Sequence, residues 1–278
     1  MNILEFSLVV WLLSSSAGFL GALTGLGGGV VIVPLLTLVF GVDIHYAIGA
    51  SLVSVIATSS GAAAAYVKEG YSNIRIGMFL EVATTTGALL GGYLAAKLST
   101  AVVAVIFGVV LIYSAYLSNQ PKEEHPPEQQ PDPLATRLRL DGSYPTPQGL
   151  QSYQVHSVPA GFSLMFVAGT LSSLLGIGSG AVKVLAMDHV MGIPFKVSTT
   201  TSNFMIGVTA AAGAGTYLNR GYIDPGLAMP VMLGVLIGSL LGAKVLVKAN
   251  IKLLRLVFSG VLLALGIEMI YKGLTGKI

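Results

Sequence analysis

Apolar residues run through this chain in stretches of about twenty with almost no charge, the length a helix needs to cross ~30 Å of hydrocarbon. Such stretches cover Ile3 to Leu23, Ala47 to Val67, Ile76 to Ala96, Ala101 to Leu117, Val158 to Leu175, Val197 to Leu218, Pro225 to Val247 and Leu253 to Tyr271. Only 10% of residues are charged and the mean hydropathy is +0.81, against roughly 25% charged for a soluble domain, so a soluble globule is excluded. The 35 glycines show no collagen period and suit membrane helices, which use glycine at close crossings and at breaks. With no cysteine, disulfides, thiolate metal sites and cysteine nucleophiles are excluded. The net charge of +3 sits in short loops and implies no nucleic-acid partner. Met1 to Leu23 carries Glu5 and no basic leader region, and is expected to stay as a membrane segment.

A shift of 151 residues superposes the two halves without a gap over most of their length. It lays Gly25, Gly27 and Gly29 on Gly176, Gly178 and Gly180, Ser51 on Ser202, Tyr66 on Tyr217, Gly70-Tyr71 on Gly221-Tyr222, and Lys97 on Lys248. Paired Gly-Tyr and lysine matches at constant offset indicate a duplication. The halves are expected at 1–117 and 157–278, separated by a 118–156 linker rich in proline and charge. In that linker RLRLDGSY carries an Asp-Gly turn signal between alternating residues and QSYQVHSV alternates again, as in a small extramembrane hairpin. Inverted repeats place ten basic residues on the linker side of the membrane against four opposite, whereas parallel repeats give no bias. The positive-inside rule therefore favours inverted topology, a cytoplasmic linker and both termini outside. The expected fold is an all-α polytopic membrane protein, each half holding a glycine-broken helical hairpin and about three full spans.

Val30 to Phe40 and Ala181 to Met191 have eleven residues each, about half a bilayer as helix. Each follows a glycine cluster, GLGGG at Gly25 to Gly29 and GIGSG at Gly176 to Gly180. A helix broken in lipid leaves backbone polar groups unpaired, tolerable only against protein or a wet cavity, and paired breaks in duplicated halves point to a transport site. Gly27, Gly28, Gly29, Gly178, Ser179 and Gly180 are thus candidate substrate-binding residues, their short helices aiming positive dipole ends at an anion. The alternative is that these glycines only permit tight helix crossing. Lys183, one turn inside the second short helix, would be the anion's counter-charge, since an ammonium at that depth costs at least ~2.5 kcal/mol. Its alternatives are snorkelling or pairing with Asp188.

The run Ser198 to Asn203 opens an otherwise apolar span; Thr200, Thr201, Ser202 and Asn203, with Ser51 in the first half, could replace an oxyanion's hydration. Interhelical hydrogen bonding is the commoner task of such groups, and it is the task assigned to Thr84, Thr85 and Thr86. Glu81, roughly 9 Å into its span, is the candidate for proton coupling, against snorkelling or pairing with a lysine. His45, Asp43, Asp188 and His189 lack the spacing of a metal site, no cofactor is expected, and no nucleophile with a base suggests an enzyme.

GFLGALTGLGGGVVIVPLL, AIGASL, LGIGSGAVKVL and MGIPFKVSTTTSN, followed by GALLGG and GSLLGA, resemble the sulfite exporter TauE/SafE family, also described as the 4-toluene sulfonate uptake permease superfamily. The resemblance implies secondary transport of sulfite, sulfonates or related organosulfur anions in a plasma membrane; the expected partners are a small anion, the bilayer and, through Glu81, protons. It leaves substrate and direction open. The second cluster reads GIGSGA where a GxGGG form is the pattern, and Leu185 stands where Pro34 has its repeat equivalent. The competing class is an anion channel, which shares the half-helices but lacks alternating access.

Overall fold

A computed structural model of the chain describes residues 3–24, 29–68, 72–118, 132–146, 149–246 and 251–276. The first half holds α1 (Ile3–Thr24), α2 (Gly29–Phe40), α3 (Ile44–Lys68), α4 (Ile74–Ala95) and α5 (Thr100–Ser118). After α6 (Pro133–Arg137) and the strands β1 (Gly142–Thr146) and β2 (Gly149–Tyr153), the second half holds α7 (Val158–Leu175), α8 (Gly180–Leu185), α9 (Phe195–Leu218), α10 (Pro225–Leu246) and α11 (Ile251–Thr275). Polarity is distributed as in a membrane protein. Leu8, Leu12, Val109, Val208, Leu240 and Ile267 are exposed, while Ser14, Ser51, Thr84, Ser172, Lys183 and Thr209 are buried. Water would penalise so extensive an apolar exterior, and lipid does not. Among the described residues, α4 and α7 are each long and apolar enough to cross a bilayer unaided.

The sequence duplication reappears as duplicated packing. α1 packs along α10 as α4 packs along α7, and α3 meets α10 as α9 meets α4. The residues correspond too. A Cβ on Gly18 would strike the Val235 carbonyl, and one on Gly169, 151 positions on, would strike that of Thr84, the equivalent of Val235. Likewise Gly87 abuts Phe166 and Gly238 abuts Ser15. Glycine is required there because the backbones touch, and in lipid such contact supplies the packing that apolar burial cannot. Each short helix ends alike: Gly41 and Gly192 turn at φ 64° and 67°, and the next amide returns to the helix, Val42 N–H to the Leu36 carbonyl and Ile193 N–H to that of Met187.

α5 and α11, which are repeat equivalents, run in opposite directions. Gly273 lies at Ala101 and Val105, Gly266 at Gly108 and Leu111, and Ser259 at Ala115. Arg75 donates to the Arg139 carbonyl at one end of the bundle, where the His156 amide also meets Met191. At the opposite end Arg220 donates to the Gly92 carbonyl, and Lys272 to that of Leu38.

The described part of the linker is folded against the bundle. Ala135, Leu140 and Val155 join Ile76, Leu80 and Met187 in a second buried cluster. Asp132 accepts from the Leu134 and Val158 amides, capping α6 and α7 together, and Asp141 accepts from Val155 N–H. The hairpin exists, but not where the Asp-Gly signal put its turn. Gly142 pairs with Tyr153 and Thr146 with Gly149, so Asp141-Gly142 opens β1, and Arg137 to Leu140 belong to α6 and its exit. Asn73 ties this cap to α4: its Oδ1 accepts from Ile76 N–H, and its Nδ2 donates to the Tyr153 hydroxyl at 2.7 Å. Burial pushes the Tyr153 phenol above its ordinary range, so it meets that amide as a neutral hydroxyl.

Candidate functional site

The second break is built from left-handed residues. α7 stops at Gly176 (φ 69°), and Gly178 (φ 70°) and Ser179 (φ 47°) turn the chain into α8. Of the first break Gly29 is described, while Gly27 and Gly28 lie outside the described residues. The two breaks meet. Ser51 Oγ donates to the Gly176 carbonyl at 2.6 Å and stands 3.4 Å from the Gly29 carbonyl, and a Cβ on Gly29 would lie 2.8 Å from the Gly176 oxygen. Ser202, the repeat equivalent of Ser51, faces the Gly180 carbonyl at 3.4 Å. Gly178 is flanked by Val55 and Ile206. The described glycines therefore lie against protein backbone, hydroxyls and apolar side chains. The hydroxyls of Ser172, Ser173 and Ser179 are buried here with no partner among the described residues.

The second short helix is not one continuous α-helix. After the six residues of α8 it widens into a π turn over Ala186–Val190, at the place where α2 carries Pro34 and α8 has Leu185. The α-type ladder is thus shorter than the eleven residues expected.

The polar run at the start of α9 is divided among several tasks. Ser198 donates to the Ile193 carbonyl, Thr200 to those of Lys196 and Val197, and Thr201 accepts from the Asn73 amide. These bonds hold the start of α9 and dock the cap. Ser202 faces the second break, Asn203 is half-buried, and Thr199 Oγ1 is buried without a partner among the described residues.

The strongest polar constellation lies one step away and joins two of the expected residues through a third. Lys183, with 0% exposure, donates from Nζ to Thr209 Oγ1 at 2.5 Å. Thr209 in turn donates to Glu81 Oε1 at 2.7 Å, with Thr85 Oγ1 3.1 Å from the same oxygen. Glu81 is 8% exposed, and its Oε2 is buried with no partner among the described residues. α8, α9 and α4 each supply one member, so the geometry depends on how these helices pack. Of Thr84, Thr85 and Thr86, assigned above to interhelical hydrogen bonding, Thr84 does meet Thr209 of α9 at 3.2 Å, whereas Thr85 bonds Glu81 and Thr86 the Val82 and Ala83 carbonyls of their own helix. Thr209 carries no local signal, because a lone threonine in an alanine-rich helix is unremarkable; the one available cue is that the 151-residue shift lays it on Thr58.

The remaining charged residues lie apart. His45 Nδ1 meets Asp43 at 3.0 Å and its ring stacks on Tyr222, Asp188 lies 4.0 Å from His189, and Lys272 lies 4.0 Å from Glu268. Among the described residues no group of three or more His, Asp or Glu could hold a metal ion.

Comparison with known proteins agrees with this architecture. The sequence profile of the family described as sulfite exporter TauE/SafE matches residues 10–269. The chain is 29% identical over 265 residues to the probable membrane transporter protein YunE of Bacillus subtilis (strain 168), covering 93% of this chain and 95% of YunE. It is 27% identical over 237 residues to the probable membrane transporter protein YdhB of the same organism, covering 85% and 87% of the two chains. A probable membrane transporter protein of Xylella fastidiosa (strain 9a5c) is 24% identical over 258 residues, covering 92% and 91%. No solved structure gives a significant match.

Proposed function

Because the chain belongs to the sulfite exporter TauE/SafE family of membrane transporters, we propose that it is a secondary transporter that carries a small sulfur-containing anion across the cytoplasmic membrane by alternating access. The observation that carries this reading is Lys183. A fully buried ammonium is costly inside an apolar bundle, and among the described residues its side chain has one hydrogen-bond partner, Thr209. Two of its three N–H donors are left for an oxyanion. The orphaned hydroxyls of Ser172, Ser173 and Ser179 near the break are further donors of the kind that would replace the anion's hydration. Gly178, Ser179, Gly180, Ser202 and Asn203 belong to the proposed site with Gly27, Gly28, Gly29 and Ser51, whereas Thr200 and Thr201 act through the position of α9. Glu81 is the proposed proton-coupling carboxylate.

The alternating-access part of the proposal rests on inverted halves. The opposed directions of α5 and α11 support it, since a two-fold axis lying in the membrane plane reverses equivalent helices. So does the placing of Arg75 and Arg139 at one end and Arg220 and Lys272 at the other, with the cap on the cytoplasmic side.

Purified protein in liposomes should take up one member of a panel of sulfite, methanesulfonate, sulfoacetate, sulfate and thiosulfate with saturation, and preloading with that anion should drive counterflow. Uptake that neither saturates nor shows counterflow would make the protein a channel and refute alternating access.

A further inference from the structure

Glu81 and Lys183 are held apart by one hydroxyl. Thr209 Oγ1 accepts from the ammonium and stands within 2.7 Å of Glu81 Oε1, 3.0 Å of the Met205 carbonyl and 3.2 Å of Thr84 Oγ1. Among the described residues no direct ion pair closes between the lysine and the carboxylate. Both partners consequently keep unused valence on the same buried patch, namely two N–H donors on Lys183 and the whole of Oε2 on Glu81. A direct ion pair would have used Oε2 and at least one of those donors.

Charge balance says what this patch can accept. With Glu81 ionised, Lys183 and Glu81 sum to zero, and a monoanion arriving at the lysine would leave a net negative charge in an apolar bundle. With a proton on Oε2 the sum is again zero, and the new O–H is a third donor beside the two ammonium donors. Among the described residues of the packed elements the other titratable groups lie elsewhere. α7 has no titratable residue over Val158–Leu175, α9 carries Lys196 and Arg220 at or beyond its ends with Tyr217 in its last turn, and Asp188 and His189 in the π turn lie beside each other. On α4 itself the other charged residue is Arg75, turned to the Arg139 carbonyl in the cap.

We propose that Thr209 is the positioning residue that keeps Lys183 and Glu81 from collapsing into an ion pair, so that the site binds one monoanion and one proton together, with the anion between the Lys183 ammonium and the protonated Oε2 of Glu81. The inference rests on the reading of Lys183 as the anion's counter-charge and adds to it a stoichiometry and a residue.

Anion binding to the purified full chain, measured calorimetrically across a pH series, tests it. Methanesulfonate is the first probe, because a sulfonate stays ionised throughout and any pH dependence belongs to the protein; ethanesulfonate and isethionate, also monoanions, follow. Once Glu81 is ionised in the free protein, Kd should rise tenfold per pH unit, and one proton should be taken up per anion bound in weakly buffered solution. Thr209→Val, which keeps shape and loses the hydroxyl, should bind more weakly with a slope below twofold per pH unit, and Thr209→Ser should restore the parent slope. Glu81→Gln should bind with no slope at all. A full tenfold slope in Thr209→Val, or anion binding by the parent without proton uptake, would overturn the inference while leaving the anion site standing. Parent-like binding by Lys183→Met, or binding of none of the three anions, would instead remove the anion site and the inference with it. Proton uptake by the parent decides the stoichiometry on its own, and if Thr209→Val does not fold, Thr209→Ala takes its place in the slope test.

Discussion

Ser51, on α3, donates its hydroxyl hydrogen to the carbonyl of Gly176 at the second break, 2.6 Å away. The bond satisfies a carbonyl that the end of α7 leaves without a helical partner, and it ties the two halves together at the depth where both are interrupted. The two breaks are therefore packed together, with the first half supplying the polar partner for the Gly176 carbonyl of the second.

Ser51→Ala should accordingly lower the stability of the detergent-solubilised protein by about 1 to 3 kcal/mol, because it leaves a buried carbonyl unsatisfied. Ser202→Ala, whose contact with Gly180 is 3.4 Å long, should cost less. Thermal unfolding of the two variants side by side checks the order, and equal losses would show that Ser51 does not bridge the breaks.

Glycines at helix crossings should be far less tolerant than glycines in open turns. Gly87→Val and Gly169→Val push a Cβ into the carbonyls of Phe166 and Thr84 and should prevent assembly of α4 on α7. Gly41→Ala meets open space and carries only the strain of φ 64°, about 1 kcal/mol. Size-exclusion profiles should show the first two aggregated and the third monodisperse.

The cap should be cytoplasmic. Leu150 on β2 is 78% exposed and the chain has no cysteine of its own, so Leu150→Cys gives a single accessible thiol. It should resist a membrane-impermeant thiol reagent in intact cells and react in inside-out vesicles. Ready labelling in intact cells would reverse the orientation drawn from the basic residues.

Asn73→Ala should loosen the cap. It removes the N-cap of α4, worth ~1 kcal/mol, together with the bond to Tyr153, while the backbone bond to Thr201 remains. Limited proteolysis should cut the cap of this variant faster than that of the parent, and an unchanged rate would assign the docking to the buried Ala135, Leu140 and Val155 alone.

What could be read from the sequence follows from how local each signal is. The breaks were visible because glycine clusters interrupt apolar runs at equivalent places, and the short helices start within one residue of the expected Val30 and Ala181. The π turn after Leu185 was not, since its sequence, AMDHV, does not differ in kind from an α-helical one. The hairpin was foreseen but shifted, because the Asp-Gly pair is a strong turn signal locally and the tertiary bond from Val155 to Asp141 uses the aspartate elsewhere. At the site, Lys183 and Glu81 stood out as charges in apolar spans, whereas their connection through Thr209 spans 128 residues between Glu81 and Thr209 and exists only once α4 packs on α9. Neither charge has a charged repeat equivalent, Lys183 falling on Ile32 and Glu81 on Met232, so the duplicated scaffold carries an asymmetric pair.

Lys183→Met asks whether Lys183 is the counter-charge of a transported anion. Methionine keeps most of the length and the apolar stem, removes the charge, and leaves Glu81 and Thr209 bonded as before. Affinity for whichever anion of the panel the parent binds should fall by about tenfold or more, an energy of ~1.4 kcal/mol that one charge-assisted hydrogen bond can supply, while the variant inserts and remains monodisperse. Unchanged affinity and transport in that variant would make Lys183 a structural partner of Thr209 and contradict the anion site.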